Sequence, residues 1–232
     1  MKKIVVLTGA GVSAESGINT FRDADGLWEG HDVMEVATPQ GWQKNQELVL
    51  DFYNQRRAQL LKVKPNAAHK ALVELEDHYE VYIITQNVDD LHERAGSETV
   101  VHLHGELLKV RSLGNPNLVY DWKKDLKTGD LCEEGAQLRP HIVWFGEEVP
   151  MLPLAAELVS EADLIIIIGT SMQVYPAASL TDYAKVGTPI YYIDPKPSIN
   201  YELSRSNHLE VIEAKATKGV RKLVDELMRA AK

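Results

Sequence analysis

Gly9-Ala10-Gly11-Val12-Ser13-Ala14 stands directly after a short apolar run and fits the spacing G-x-G-x-x-[GA]. Glycines there permit a tight turn and a close backbone approach, so main-chain N–H groups and a helix start can face a pyrophosphate. A hydride-transferring enzyme would add an acid roughly 20 residues on, at the end of a second strand. Glu29 and Asp32 fall near that point, but no strand pattern precedes them. An ordinary dehydrogenase is therefore a poor match. Further along, Gln86-Asn87-Val88-Asp89 sets an amide and a carboxylate at i and i+2. On an extended loop the pair can bind a carboxamide and ribose hydroxyls, with Gln86 a further hydroxyl partner. Asn and Asp also favour helix N-caps, here before Leu91-His92-Glu93-Arg94, and the two roles are compatible. Asp90 reads as a capping or solvated residue.

His104 precedes Gly105 at the end of another apolar run. An imidazole with an ordinary pKa of about 6.5 can accept a proton at neutral pH. Two alternatives stand beside that base role: a structural histidine, or a metal-binding His-x-His with His102, which shares its strand face. Thr170 and Ser171, after an isoleucine-rich run, offer hydroxyls to phosphate or ribose. Asp194, after the next run, can take ribose hydroxyls that no earlier acid reaches. Tyr53 and Arg56 lie at i, i+3 on a predicted helix and are neighbours on one face. A phenol beside a guanidinium suits a carboxylate, although a solvated helix surface would read the same way. Arg57 points elsewhere and reads as solvated or salt-bridged.

The elements that must position these groups follow from hydrophobic pattern. Runs at 4–7, 81–84, 100–103, 164–168 and 190–193, with a weaker one at 209–212, are continuously apolar and end in turn residues. Such strands suit a parallel sheet covered on both faces. Helical patterns at about 67–77, 88–95, 151–161, 176–186 and 218–231 alternate with them, which predicts a doubly wound, mostly parallel α/β sheet of Rossmann type. Two stretches break the alternation. Residues 27–79, with a helical pattern near 46–62, and 106–141, rich in turn signals, are read as inserts that build a smaller module. The Rossmann-like core then comprises about 1–26, 80–105 and 142–232.

The chain has 232 residues, 44% of them hydrophobic, and a formal net charge of −9. That composition excludes a disordered or fibrous chain, and the acidic balance argues against nucleic acid or a membrane surface as partner. The four-residue N-terminal run is too short for a signal-peptide core, and no run is long enough to span a bilayer. A cytoplasmic protein is expected. The single cysteine, Cys132, excludes an intramolecular disulfide and a four-cysteine metal site within the chain.

The glycine loop continues through Glu15-Ser16-Gly17-Ile18-Asn19-Thr20-Phe21-Arg22-Asp23 to Gly26-Leu27-Trp28. Together with Thr85-Gln86-Asn87-Val88-Asp89, His104-Gly105, Gly169-Thr170-Ser171 and Val174-Tyr175-Pro176-Ala177-Ala178, this resembles the sirtuin family of NAD-dependent protein-lysine deacylases. The likeness runs through nearly the whole chain in the family's order; Asn19 replaces the family's usual proline. The resemblance implies that NAD is consumed rather than reduced. The acyl-lysine oxygen attacks the anomeric carbon of the nicotinamide ribose, nicotinamide leaves, and a base helps a ribose hydroxyl attack the resulting imidate, giving free lysine and an acylated ADP-ribose. Acylated lysine side chains of proteins are then the partners; oligomeric state is not implied.

Carried onto this chain, the resemblance makes His104 the base, with Asn87 and Asp89 the other catalytic residues. It assigns NAD to Gly9, Ala10, Gly11, Ser13, Ala14, Phe21, Arg22, Trp28 and the 86–89 segment. Gly169, Thr170, Ser171, Asp194, Pro195, Lys196 and Ala216 complete that set; the family more often has asparagine at Asp194. Phe21 would shield the reactive ribose face and Arg22 order the loop, and Val143, Trp144, Phe145 and Gly146 would line the acyl-lysine channel. A Tyr-x-x-Arg pair such as Tyr53 and Arg56 marks the subgroup that removes succinyl and malonyl groups. The alternatives are a deacetylase without acidic-acyl preference and a non-catalytic NAD- or ADP-ribose-binding module. Most members hold zinc through two Cys-x-x-Cys pairs in the second insert. Here Val110-Arg111-Ser112 and Cys132-Glu133-Glu134-Gly135 occupy that region, so no zinc is expected. The module would fold on Leu113, Leu118, Val119 and Trp122, or be less ordered.

Overall fold

Alternate residues of the first strand, β1 (Lys3–Thr8), face opposite sides of a sheet, and both sides are covered. This is why the strand is apolar throughout rather than alternating. The computed structural model describes residues 1–19 and 27–231. After two single 3-10 turns come a hairpin of β2 (Leu27–Trp28) and β3 (His31–Asp32), then α1 (Val33–Val36), α2 (Pro39–Lys44), α3 (Gln46–Leu60) and α4 (Ala67–Leu75). The chain continues through β4 (Glu80–Thr85), α5 (Leu91–Ala95), β5 (Val100–His102), β6 (Gly105–Ser112), β7 (Val119–Asp121) and β8 (Leu138–Ile142). It ends with α6 (Leu152–Glu161), β9 (Leu164–Ile168), β10 (Ile190–Ile193), α7 (Tyr201–Ser204), β11 (Leu209–Ile212) and α8 (Ala216–Ala230).

Six strands form one parallel sheet in the order β11-β10-β9-β1-β4-β5. The chain first runs outward from β1 through β4 to β5, then returns to lay β9 on the other side of β1. That reversal opens a crevice at the carboxyl ends of β1 and β9, the place where open α/β sheets bind ligands. On one face Val5, Leu7, Ile165 and Ile167 meet Ala155, Leu158 and Val159 of α6. On the other, Ile4, Val6, Ile83 and Ile166 meet Leu72 and Leu75 of α4 and Val220, Leu223 and Val224 of α8. The expected strands and the doubly wound architecture are therefore present.

Beside this sheet lies an antiparallel one, ordered β7-β6-β8. Leu107, Val110 and Leu138 from it share a core with Trp42, Phe52, Tyr53 and Leu60 of α2 and α3. Capping by Asp32, Thr38 and Asn45 starts α1, α2 and α3 in quick succession, each side chain accepting a backbone N–H. Glu29 and Gly30 turn the β2–β3 hairpin with φ of 51° and 81°, the left-handed pair that a two-residue turn requires.

Several expectations need correction. The helix predicted at 176–186 is a 3-10 segment, Ala177–Tyr183; the Ser179 hydroxyl donates to the Pro176 carbonyl, a local bond that competes with regular helix. The helix predicted at 88–95 starts only at Leu91, because Asn87–Asp90 form a loop. α4, assigned to the inserted module, packs instead on the parallel sheet beside α8. In the module, Leu118 and Trp122 do pack inward, but Leu113 and Val119 are 46% and 37% exposed; Leu107, Val110, Leu126 and Leu138 carry that core. Among the described residues, no group of three or more His, Cys, Asp or Glu side chains is disposed to hold a metal ion. Nor is any helix long and apolar enough to cross a membrane.

Candidate active site

A cavity of about 270 Å³ occupies the crevice and runs between the two sheets. Its floor is the glycine turn. Gly9 and Gly11 donate their N–H groups to Ile168 and Gly169 carbonyls at 3.0 and 2.8 Å, tying the β1 loop to the β9 loop. A Cβ on Gly11 would lie 2.6 Å from the Gly169 Cα, and Gly169 itself has a φ of 61°. Glycine is required at both positions, because the backbones of the two loops pack directly on each other there.

The segment after β4 supplies the next wall. Gln86, Asn87, Val88 and Asp89 all line the cavity. Asp89, only 6% exposed, accepts the Ser13 hydroxyl at 2.9 Å and the Leu91 N–H at 3.1 Å. Ser13 in turn accepts from Asn87 Nδ2 at 3.3 Å, so a buried serine on the glycine loop orients both candidate ligands. Burial raises the Asp89 carboxyl to a pKa of about 6, against the opposing pull of those two donors. Below them, His92 Nε2 bonds Thr8 Oγ1 at 3.1 Å and Thr8 donates to Thr85 at 2.8 Å. Thr85 accepts the Asn87 N–H at 3.0 Å, which holds the loop from beneath.

His104 lines the cavity from the third side. Its Nδ1 lies 3.1 Å from the Gln86 carbonyl, which can only accept. The ring proton therefore sits on Nδ1, leaving the Nε2 lone pair as a base. Burial holds the pKa below the usual imidazole value, with the carbonyl bond opposing, so the ring is neutral at physiological pH. His102 is different. Burial opposes its protonation, but Glu93 at 2.6 Å from Nε2 raises its pKa, and Nδ1 meets the Asn87 carbonyl at 3.1 Å. With both nitrogens engaged, His102 braces the 87–93 segment and is no metal ligand.

A third region receives α3 and the stretch after β8. Tyr53 and Arg56 both line the cavity, as do Val143, Trp144, Phe145 and Gly146. Arg56 stacks over Phe52 at 4.7 Å and makes a long contact with Gln55, 3.3 Å; its Nε and Nη1 are buried without an acceptor among the described residues. Arg57, by contrast, is buried rather than solvated, and among the described residues it makes no salt bridge. It donates to the Leu107 carbonyl at 3.2 Å and to Asn54 at 2.7 Å, and burial lowers its pKa to about 10.

Of the remaining candidates, Ala10, Trp28, Gly169, Thr170 and Ser171 line the same cavity. Ser13 stands behind the wall, and Ala14 lies outside it. Asp194 and Ala216 are buried at the ends of β10 and of the segment leading into α8, with Pro195 and Lys196 exposed beside them. These four are not part of the cavity wall. Phe21 and Arg22 lie outside the described residues. Asn19, Glu29, Gln59 and Glu147 also line the wall, and none of them was among the assigned site residues. Glu147 directly follows Gly146 of the channel segment, and nothing in its spacing distinguishes it from a surface acid.

Along its length the chain is similar to proteins of one family. A model described as the Sir2 family matches residues 9–176. The chain is 62% identical over 231 residues to an NAD-dependent protein deacylase of Helicobacter pylori, covering 100% of this chain and 97% of that one. Identity to a Bacteroides thetaiotaomicron protein of the same description is 53% over 236 residues, covering 99% and 100%. A solved Sir2 homolog–NAD complex superposes with a TM-score of 0.88 at 42% identity, covering 100% and 91% of the two chains. A Sir2 structure bound to an acetylated peptide gives 0.79 at 28% identity, covering 97% and 93%.

Proposed function

We infer the chemistry of the site from one premise: the chain belongs to the Sir2 family and is an NAD-dependent protein-lysine deacylase. The residues fit NAD: Gly9, Gly11, Gly169, Thr170 and Ser171 line one cavity with the amide and carboxylate of Asn87 and Asp89 and with the His104 imidazole, a donor set suited to phosphate, ribose and carboxamide. When bound, NAD supplies the ribose carbon from which nicotinamide departs and the hydroxyl that finally carries the acyl group.

The chain's own groups divide the remaining work. The glycine turn, with Thr170 and Ser171, holds phosphate and ribose oxygens. Asn87 and Asp89, kept in register by Ser13, hold the carboxamide and ribose of the nicotinamide half. His104 Nε2 takes the proton from the attacking ribose hydroxyl, because Nδ1 is committed to Gln86. Val143–Gly146 forms the channel wall along which the acyl-lysine enters. By likeness to the family, Asp194, Pro195, Lys196 and Ala216 attend the adenosine end.

We propose further that the acyl group is acidic, succinyl or malonyl, and that Tyr53 and Arg56 hold its carboxylate. One observation carries this: two buried guanidinium donors of Arg56 have no acceptor among the described residues, beside a buried phenol on the same wall. A buried donor left unpaired costs about 1–3 kcal/mol, which an incoming carboxylate would recover. The test compares nicotinamide release from succinyl-lysine and acetyl-lysine peptides in wild type and Arg56→Met. The succinyl-to-acetyl ratio of kcat/KM should favour succinyl and fall at least tenfold in the variant. Equal use of both peptides, indifferent to the substitution, would leave a deacetylase without acidic preference; NAD binding without nicotinamide release would leave a binding module.

A further inference from the structure

Tyr53 is fully buried, and its oxygen accepts the indole N–H of Trp144 at 3.0 Å. An indole nitrogen donates only, so the phenol cannot give its own proton to Trp144. Among the described residues no other group takes that proton either. Burial also pushes the Tyr53 pKa up, with the Trp144 bond opposing, so the phenol stays protonated.

Trp144 is itself clamped by charged groups. The Arg139 guanidinium stacks 3.3 Å from its ring centroid. Glu147 accepts the Trp144 backbone N–H at 2.8 Å and takes Arg139 through both oxygens, at 2.6 and 3.1 Å. Arg111 of β6 reaches the same carboxylate at 3.2 Å, and Arg139 also donates to the Ile142 carbonyl at 2.9 Å. A second indole, Trp42, packs at 5.6 Å. The ring's orientation is thus set by a charge cluster of β6, β8 and the loop after it, independent of any substrate.

We infer that Trp144, held by Arg139 and Glu147, is a specificity-determining positioning residue. By occupying the acceptor side of the Tyr53 oxygen, it leaves the phenol proton to be donated into the acyl cavity, next to the free donors of Arg56. The inference rests on the acidic-acyl reading. It predicts selectivity for an acceptor at that point, which a carboxylate supplies and an acetyl methyl does not.

The test is Trp144→Phe, which keeps a ring for Arg139 and removes the N–H. The succinyl-to-acetyl ratio of kcat/KM should fall about fivefold, the effect of one hydrogen bond, through the KM for the succinyl peptide. Tyr53→Phe should lower the ratio similarly, and the double variant no further than either single one. Additive losses, or equal losses on both peptides, would overturn the assignment, since a merely structural role affects both alike. If Trp144→Phe does not fold, Glu147→Gln loosens the clamp without touching Tyr53 and must lower the same ratio; an unchanged ratio overturns the inference. A preference abolished by Arg56→Met but intact in Trp144→Phe sinks only the role of Trp144. A wild type with no succinyl preference sinks the acidic-acyl reading and this inference with it.

Discussion

Gly11 donates its backbone N–H to the Gly169 carbonyl at 2.8 Å, and neither residue has room for a side chain against the other. The two loops that follow β1 and β9, 158 positions apart, are therefore one structural unit at the point where the strand order reverses. Gly11→Ala would set a methyl 2.6 Å from the Gly169 Cα. The expected outcome is a loss of about 1–3 kcal/mol from overpacking and a weakening of NAD binding of about tenfold or more. Calorimetric titration with NAD checks it; an unchanged affinity would separate this turn from the cofactor.

His104 acts through a lone pair whose availability depends on the Gln86 carbonyl. His104→Tyr should cut product formation at least about 100-fold, the usual reach of general-base catalysis. Because burial lowers the imidazole pKa, the ring stays neutral to a lower pH than a free histidine. The acid limb of kcat/KM should accordingly lie below pH of about 6.5. A limb at or above that value would remove the neutral imidazole from the mechanism.

Asp89 stores a cost that its role explains. Its carboxyl is raised from 3.8 to about 6 in the fold, chiefly by burial. Between those values the folded state binds a proton that the unfolded state has released, so stability falls as pH rises through the window and stays lower above it. Asp89→Asn removes the buried charge. Relative to wild type, its Tm should be similar near pH 4 and higher by several degrees above pH 7, while deacylation drops sharply. Thermal unfolding at the two pH values decides it; a Tm difference that shrinks on going to the higher pH contradicts the assignment.

Arg57 is a structural residue in the last turn of α3, the helix that carries Tyr53 and Arg56. Arg57→Ala strips donors from the Leu107 carbonyl and from Asn54, and Asn54 also accepts the Leu126 N–H at 2.8 Å. Losing the donor to the buried Leu107 carbonyl and one of the two donors to Asn54, together with the volume of a buried side chain, should cost about 2–3 kcal/mol. A urea midpoint unchanged from wild type would refute this. Arg56→Met, one residue away and facing the cavity, should shift stability far less while changing acyl preference.

By itself the sequence determined the strands, the glycine turn, the 86–89 segment and His104, because each is a local pattern. Continuous β-branched runs, glycines at set offsets and turn residues at strand ends act within a few positions of one another, and short-range sterics decide them. The helical spacing of Tyr53 and Arg56 was legible for the same reason. Only the tertiary structure decided what those groups face. Arg57, adjacent to Arg56, reads identically as a charge, yet α3 turns it into the core. Ser13 and Asp89 are 76 positions apart, and Tyr53 and Trp144 are 91. Their hydrogen bonds exist because the strand order brings separate loops to one crevice. The direction of a hydrogen bond across such a gap depends on three-dimensional packing, and no periodicity along the chain encodes it.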